Sequence, residues 1–186
     1  MKSPMDLMTG VDIGILKVLS KVINFLDCLF IFQFFKKGII QNWWTPRTSQ
    51  KFRQNAQCLI NQYENVVSKQ VNLKLNGFNT QGENIADNGG LKEAYLAYKK
   101  WVQNNGVEQS LPGLTFTPNQ LFWISYSQLG CSKYRDENLK HLILTGFHTP
   151  GPYRIIGPLT NSVDFANDFN CPLGSRMNPS KKCKVW

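Results

Sequence analysis

Histidine and paired-cysteine motifs are scarce in this chain. Only two histidines, His141 and His148, occur among its 186 residues, and they lack the i, i+4 spacing with which two histidines on one helix bind zinc. Its five cysteines include no C-x-x-C pair, which argues against a zinc ribbon and against a dithiol redox site. An N-glycosylation sequon is also lacking, because proline blocks Asn178-Pro179-Ser180.

Long uncharged apolar runs are missing as well. The longest, Cys28 to Phe35, is too short to cross a bilayer. The wider segment from Val11 is rich in Ile, Leu, Val and Phe but carries charges at helical intervals, each costing roughly 2.5–3.5 kcal/mol near a bilayer centre. Acidic Asp6 and Asp12 precede it, which argues against a secretory signal. The pattern therefore predicts an amphipathic helix from Val11 to Phe35 that docks on another surface.

Acidic residues are fewer than basic ones, and the net charge is +9. The lysines are scattered, and no basic stripe with interleaved aromatic residues is present, so we expect no nucleic-acid binding. A hydrophobic content of 42% with five tryptophans predicts one folded domain with a real core.

The most informative segment is GENIADNGGLKEAYLAY, residues 82–98. Glu83 and Asp87 lie four apart, so on a helix both carboxylates project from one face. Leu91, Ala94 and Tyr95 continue a helical pattern after them. Such a pair can bind a metal and orient a neighbouring ligand, although i, i+4 acids are also common on solvated helix faces.

This segment resembles the third-ligand helix of the neprilysin family of zinc metalloendopeptidases. Further matching motifs follow in family order over residues 35–186. They are Asn42-Trp43-Trp44-Thr45, Leu111-Pro112-Gly113-Leu114, Gln120-Leu121-Phe122, His148-Thr149-Pro150-Gly151, Arg154-Ile155-Ile156-Gly157 and the terminal Lys182-Cys183-Lys184-Val185-Trp186. The resemblance implies a mainly α fold with little β structure, the C-terminal part of a thermolysin-like (gluzincin) catalytic domain. Residues 1–34 match nothing in the family, which we interpret as a truncated or wrongly joined N-terminus.

The resemblance also implies roles for four side chains. Glu83 matches the zinc-binding glutamate, and Asp87 matches the carboxylate that orients a zinc-bound histidine. His148 matches the donor that stabilises the oxyanion, and Arg154 matches the residue that binds a substrate carbonyl. The alternatives are that both acids are solvated or unpaired, that His148 is structural and that Arg154 forms a surface ion pair. His141 matches no functional position and is predicted to lie on a helix surface.

The family's H-E-x-x-H motif, which supplies two zinc ligands and the general base, is absent from this sequence. We therefore expect a Zn²⁺ site that is incomplete in this chain. The implied function is part of a metalloendopeptidase that hydrolyses peptides on the amino side of hydrophobic residues, inactive alone. Its expected partners are peptide substrates and the missing N-terminal part of the same peptidase, with any membrane contact made through an anchor absent from this chain. The alternative is a catalytically dead fragment that binds peptides or a partner.

The resemblance implies extracellular or cell-surface disulfides. Cys58 is implied to pair with Cys183, while Cys131 and Cys171 are implied to pair with cysteines that this chain lacks. Before Cys131 the family often has an apolar residue and tryptophan near a substrate pocket. Leu129-Gly130 here implies an enlarged or reshaped pocket.

Local signals predict the remaining elements. Helices are expected from Trp43 to about Val67, with Thr45 as N-cap, and from the carboxylate segment to about Asn104. Further helices are expected at Thr117–Gln128, Arg135–Leu144 and Ser162–Phe169, with a brief strand at Val71–Leu75. The stretch from His148 to Gly157, which carries two Pro and two Gly, is predicted to be an ordered loop.

Overall fold

A computed structural model describes residues 35–36, 39–40 and 44–185. The predicted amphipathic helix lies outside the described residues except for Phe35, which opens a two-residue strand, and Cys28 lies outside them too. The elements in chain order are β1 (Phe35–Lys36), β2 (Ile39–Ile40), α1 (Pro46–Glu64), β3 (Val67–Ser68), β4 (Leu73–Lys74), α2 (Gln81–Asn105), α3 (Pro118–Gln128), α4 (Asp136–Thr145), α5 (Gly151–Asn161) and α6 (Val163–Asp168). The fold of the described residues is therefore mainly α, as predicted.

The four short strands form two antiparallel pairs. β1 pairs with β2, and β3 pairs with β4 in the register Val67 with Lys74 and Ser68 with Leu73. The predicted strand at Val71–Leu75 is thus real but shorter. The predicted first helix wrongly extended to Val67, the first residue of the partner strand β3, because α1 ends at Glu64.

The helix starts follow from local side-chain chemistry. Thr45 accepts a hydrogen bond from the Thr48 amide at 3.1 Å, with proline next in the chain, where its missing N–H costs nothing. Thr117 and Gln120 form a reciprocal capping box at the start of α3.

Helix α5 corrects the prediction of a loop from His148 to Gly157. The helix begins at Gly151 and continues through Pro158, whose ring nitrogen has no hydrogen to donate to the Arg154 carbonyl. The Tyr126 hydroxyl donates to that carbonyl instead, at 3.0 Å. Gly157 is required where α5 crosses Tyr63, because a Cβ there would overlap the tyrosine ring. Both apparent helix breakers are therefore accommodated by tyrosines from other elements.

Helix α2 lies between two apolar clusters. Its first turns contribute Ile85 to the cluster formed with α1, α4 and β4, while Leu91 and Tyr95 join the cluster formed with α3, α5 and α6. Asp168, at the end of α6, reinforces the second cluster by accepting hydrogen bonds from Tyr95 Oη at 2.6 Å and Trp123 Nε1 at 2.7 Å. Helix α2, which carries Glu83 and Asp87, is thereby packed against apolar clusters on two sides.

Burial raises the pKa of four tyrosines above the ordinary value near 10. They are Tyr63, Tyr95, Tyr98 and Tyr126.

A disulfide fastens the C-terminal tail to α1. Cys58 and Cys183, the pair that the resemblance implies, are bonded with their Cα atoms 5.5 Å apart and 125 positions apart in sequence. Next to this bridge, Asn55 Nδ2 donates to the Val185 carbonyl at 3.3 Å. Cys131 and Cys171 form no disulfide with each other or with another described residue.

Candidate active site

The carboxylate pair lies where the first turns of α2 meet the start of α5. Glu83 and Asp87 are one turn apart, as predicted from their spacing. Glu83 keeps 30% of its side chain exposed, whereas Asp87 is 6% exposed. One acid therefore faces solvent and the other is buried, so the interpretation of both as solvated acids is wrong.

Arg154 forms a two-pronged ion pair with the buried acid. Its Nε and Nη2 atoms donate to the two oxygens of Asp87, each at 2.7 Å, and Nη2 also lies 4.0 Å from Glu83 Oε2. Hydrogen bonding to Asp87 raises the pKa of Arg154 further above its ordinary value. The guanidinium is thus a permanent positive charge, held in one plane between the acids.

His148 completes the cluster from the loop between α4 and α5. Its Nε2 atom lies 3.0 Å from Glu83 Oε2, and its side chain is 53% exposed. The structure therefore brings together all four predicted site residues, Glu83, Asp87, His148 and Arg154. His141 is exposed on α4, where its backbone carbonyl accepts from Thr145, as expected for a surface helix residue.

Two neighbours of these residues were missed by the sequence reasoning. Asn84 and Thr149 are 0% and 3% exposed, and the Thr149 hydroxyl donates to Asn84 Oδ1 at 2.7 Å. Each directly follows a candidate site residue in sequence, but their contact depends on the packing of α5 against α2. The only signal in the sequence that could have found them is that a polar residue directly follows Glu83 and another directly follows His148.

Gly130, where the resemblance implies a reshaped substrate pocket, packs closely against α5. A Cβ at this position would overlap the Ile155 side chain and lie 2.7 Å from the Gly151 carbonyl oxygen. The direction in which a side chain would project is therefore filled by α5. Leu129 beside it is 53% exposed.

The described residues do not by themselves fit a zinc ion. No group of three or more His, Cys, Asp or Glu side chains within them is placed to hold a metal. A catalytic zinc takes three protein ligands, of which this cluster offers Glu83 as a partly exposed carboxylate. Residues 44–185 thus bring together carboxylate, imidazole and guanidinium groups but not three metal-binding side chains.

Comparison with known proteins places the chain in a family. The model of peptidase family M13 matches residues 30–185. The chain belongs to peptidase family M13. Neprilysin-2 of Drosophila melanogaster is 52% identical over 154 residues, which are 83% of this chain and 20% of that protein. Human neprilysin is 46% identical over 82% of this chain and 20% of its own length. The chain spans about a fifth of the length of the curated relatives it matches.

The fold of the chain is similar to that of solved structures. A zinc metalloprotease of Mycobacterium tuberculosis in complex with an inhibitor has a TM-score of 0.73 and 25% identity, covering 80% of this chain and 23% of that one. The Haemonchus galactose-containing glycoprotein complex has a TM-score of 0.70 and 42% identity, covering 75% and 24%. The prediction of a mainly α, thermolysin-like fold is confirmed. No helix among residues 44–185 has an apolar stretch long enough to span a membrane.

Proposed function

We propose that this chain forms the C-terminal part of the active site of a zinc-dependent metalloendopeptidase that cuts peptides on the amino side of hydrophobic residues. One observation carries the proposal: Glu83, Asp87, His148 and Arg154 converge within hydrogen-bond or ion-pair distance in a chain of family M13. A solvated helix face would not place a buried acid, a forked cation and an imidazole around one exposed carboxylate.

Each side chain has a role that its geometry supports. Glu83 is the candidate metal ligand, because its carboxylate is partly exposed at the centre of the cluster. Arg154 is the candidate donor to a substrate carbonyl, since Asp87 occupies Nε and one Nη atom and leaves the rest of the fork for a ligand. His148 is the candidate donor to the oxyanion formed on a peptide carbonyl.

In this proposal Asp87 fixes the orientation of the Arg154 guanidinium, in addition to orienting a histidine. Its two oxygens hold the guanidinium through parallel hydrogen bonds, which removes the rotational freedom of a long side chain before substrate binds.

The histidine pair and general base must come from outside this chain in this proposal, since H-E-x-x-H is absent from the sequence. We infer that the partner is another part of the same peptidase. An extracellular or cell-surface location is supported by the Cys58–Cys183 disulfide, because such bonds persist in oxidising compartments.

Cleavage mapping tests this proposal. The native protein is captured with an antibody against its C-terminal tail and incubated with a mixture of short peptides, and the products are read by mass spectrometry. We expect new N-termini at hydrophobic residues, loss of cleavage with a zinc chelator, and no cleavage by the recombinant 186-residue chain alone. Cleavage that persists with the chelator, or that ignores hydrophobic residues, contradicts the proposal.

The alternative is a catalytically dead fragment that binds peptides or a partner without cutting them; what distinguishes the two is whether the mature protein contains an H-E-x-x-H helix. This alternative predicts that the native protein retains peptides intact. Replacing Arg154 with methionine would then weaken retention, while replacing Lys99, an exposed lysine paired with Asp164, would not.

A further inference from the structure

A buried chain of hydrogen bonds runs behind the Glu83–His148 contact. The Thr149 hydroxyl donates to Asn84 Oδ1 at 2.7 Å, Asn84 Nδ2 donates to Thr80 Oγ1 at 2.8 Å, and Thr80 Oγ1 donates to the Asn76 carbonyl at 2.8 Å. Thr149, Asn84 and Thr80 are 3%, 0% and 4% exposed.

The direction of every bond in this chain is determined. Because the Thr80 hydroxyl hydrogen goes to a carbonyl, its oxygen must accept from Asn84, which orients the amide with its nitrogen towards Thr80. The amide oxygen then faces Thr149, whose hydroxyl has to donate. The far end of the chain thus sets the orientation of the group at the near end.

The bond between Asn84 and Thr149 joins the two backbones that carry the site. Asn84 directly follows Glu83 on α2, and Thr149 directly follows His148 in the loop before α5. The contact between Glu83 and His148 is itself half-exposed, and an exposed ion pair contributes little to fixing a loop. A buried hydrogen bond with no competing water holds its groups more firmly.

We propose that Asn84 and Thr149 are positioning residues that hold the His148 loop against the Glu83 face of α2, with Thr80 orienting the Asn84 amide. The proposal rests on the proposed peptidase function for its catalytic consequence. Neither residue touches the reacting atoms: both act through the backbone of the neighbouring candidate site residue.

The catalytic test compares Thr149→Val, which removes the hydroxyl at nearly constant shape, with Thr149→Ser, which keeps it, in the native peptidase. We expect Thr149→Val to lower kcat by about 10- to 100-fold with little change in KM or zinc content. Thr149→Ser is expected to restore kcat to within about twofold of wild type. Thr80→Val, which releases the amide, should lower kcat in the same direction by a smaller factor, and it keeps the test available if Thr149→Val fails to fold.

Thr160→Val is the matched control, because Thr160 is also buried and its hydroxyl donates to the Gly157 carbonyl at 2.7 Å within α5. It is expected to lower thermal stability and leave kcat within about twofold. An equal loss of kcat in Thr160→Val and Thr149→Val, or in Thr149→Ser and Thr149→Val, would mean that the hydrogen bond is merely structural.

A second readout separates this proposal from the peptidase proposal. The 186-residue chain has only two histidines, so the ring nitrogen resonances of His148 and His141 can be followed by NMR at fixed pH without zinc or substrate. We expect Thr149→Val to move the His148 resonances towards those of Glu83→Gln, with His141 unchanged as the internal reference. If His148 does not move, the positioning proposal is overturned even in an active peptidase. If it moves while wild type cuts no peptide, only the peptidase function fails.

Discussion

The ion pair between Arg154 and Asp87 should couple much more strongly than an exposed pair of the same length. Arg154→Met removes both 2.7 Å bonds from the carboxylate of Asp87, which is 6% exposed, and with them the positive charge beside it. Breaking a buried pair on one side costs about 3–5 kcal/mol, a large part of the roughly 5–15 kcal/mol by which a domain is stable. Because the Arg154 side chain is itself 31% exposed, this cost is an upper bound, and we expect Arg154→Met to lower the free energy of unfolding by up to about 3–5 kcal/mol.

The double variant tests the reason for this cost. In Asp87→Asn with Arg154→Met, the buried acid no longer carries a charge, so the loss should be smaller than the sum of the single losses by about 2–3 kcal/mol. Urea unfolding followed by circular dichroism at 222 nm measures all four proteins, and unchanged slopes support a two-state comparison.

Lys99 and Asp164 supply the matched control within the same chain. Their contact is 2.8 Å, close to that of the buried pair, but the side chains are 39% and 43% exposed. The cycle of Lys99→Met with Asp164→Asn should give a coupling of about 0–1 kcal/mol. An equal coupling in the two cycles would refute the reasoning, because distance alone would then decide the energy.

Three further outcomes follow from the described contacts. Asp168→Ala leaves the Trp123 indole and the Tyr95 hydroxyl without their acceptor. At about 1–3 kcal/mol for each group, this should lower the free energy of unfolding by about 2–6 kcal/mol. A loss below about 1 kcal/mol in urea unfolding contradicts the prediction. Replacing Cys58 and Cys183 with alanine opens a loop of 125 positions and should cost up to about 4–5 kcal/mol, with an unchanged thermal midpoint as the contrary result. The four tyrosines with raised pKa ionise near pH 10 only in the unfolded chain, so stability should hold below pH 10 and fall above it. Their ionisation, followed by absorbance at 295 nm, should coincide with loss of helix, and ionisation without that loss contradicts the assignment.

Elements with local start signals were predictable from the sequence. Thr45 and Thr117 are each followed by proline and each cap the start of a helix; α1 begins three residues after the predicted Trp43, and α3 begins one residue after the predicted Thr117. Helix α5 was not predictable in this way, because the groups that accommodate Gly157 and Pro158 are Tyr63 and Tyr126 of other helices. Long-range contacts override the local preference there.

The candidate site likewise has one part that local sequence patterns predict and one part that they do not. The relation of Glu83 to Asp87 is set by helix periodicity and needs no tertiary information. The pairing of Arg154 with Asp87 and the buried bond behind His148 depend on how α5 packs against α2, which no local pattern encodes.

Zinc content is the most direct test of the central claim that Glu83 is a metal ligand. The native protein, its Glu83→Gln variant and a Glu93→Gln control are purified, and zinc per protein is measured by inductively coupled plasma mass spectrometry. Glu93 lies on the same helix, is exposed and contacts only Lys92 among the described ion pairs, at 3.9 Å. We expect stoichiometric zinc in wild type and Glu93→Gln and a loss of zinc in Glu83→Gln. Full zinc occupancy in Glu83→Gln would contradict the account.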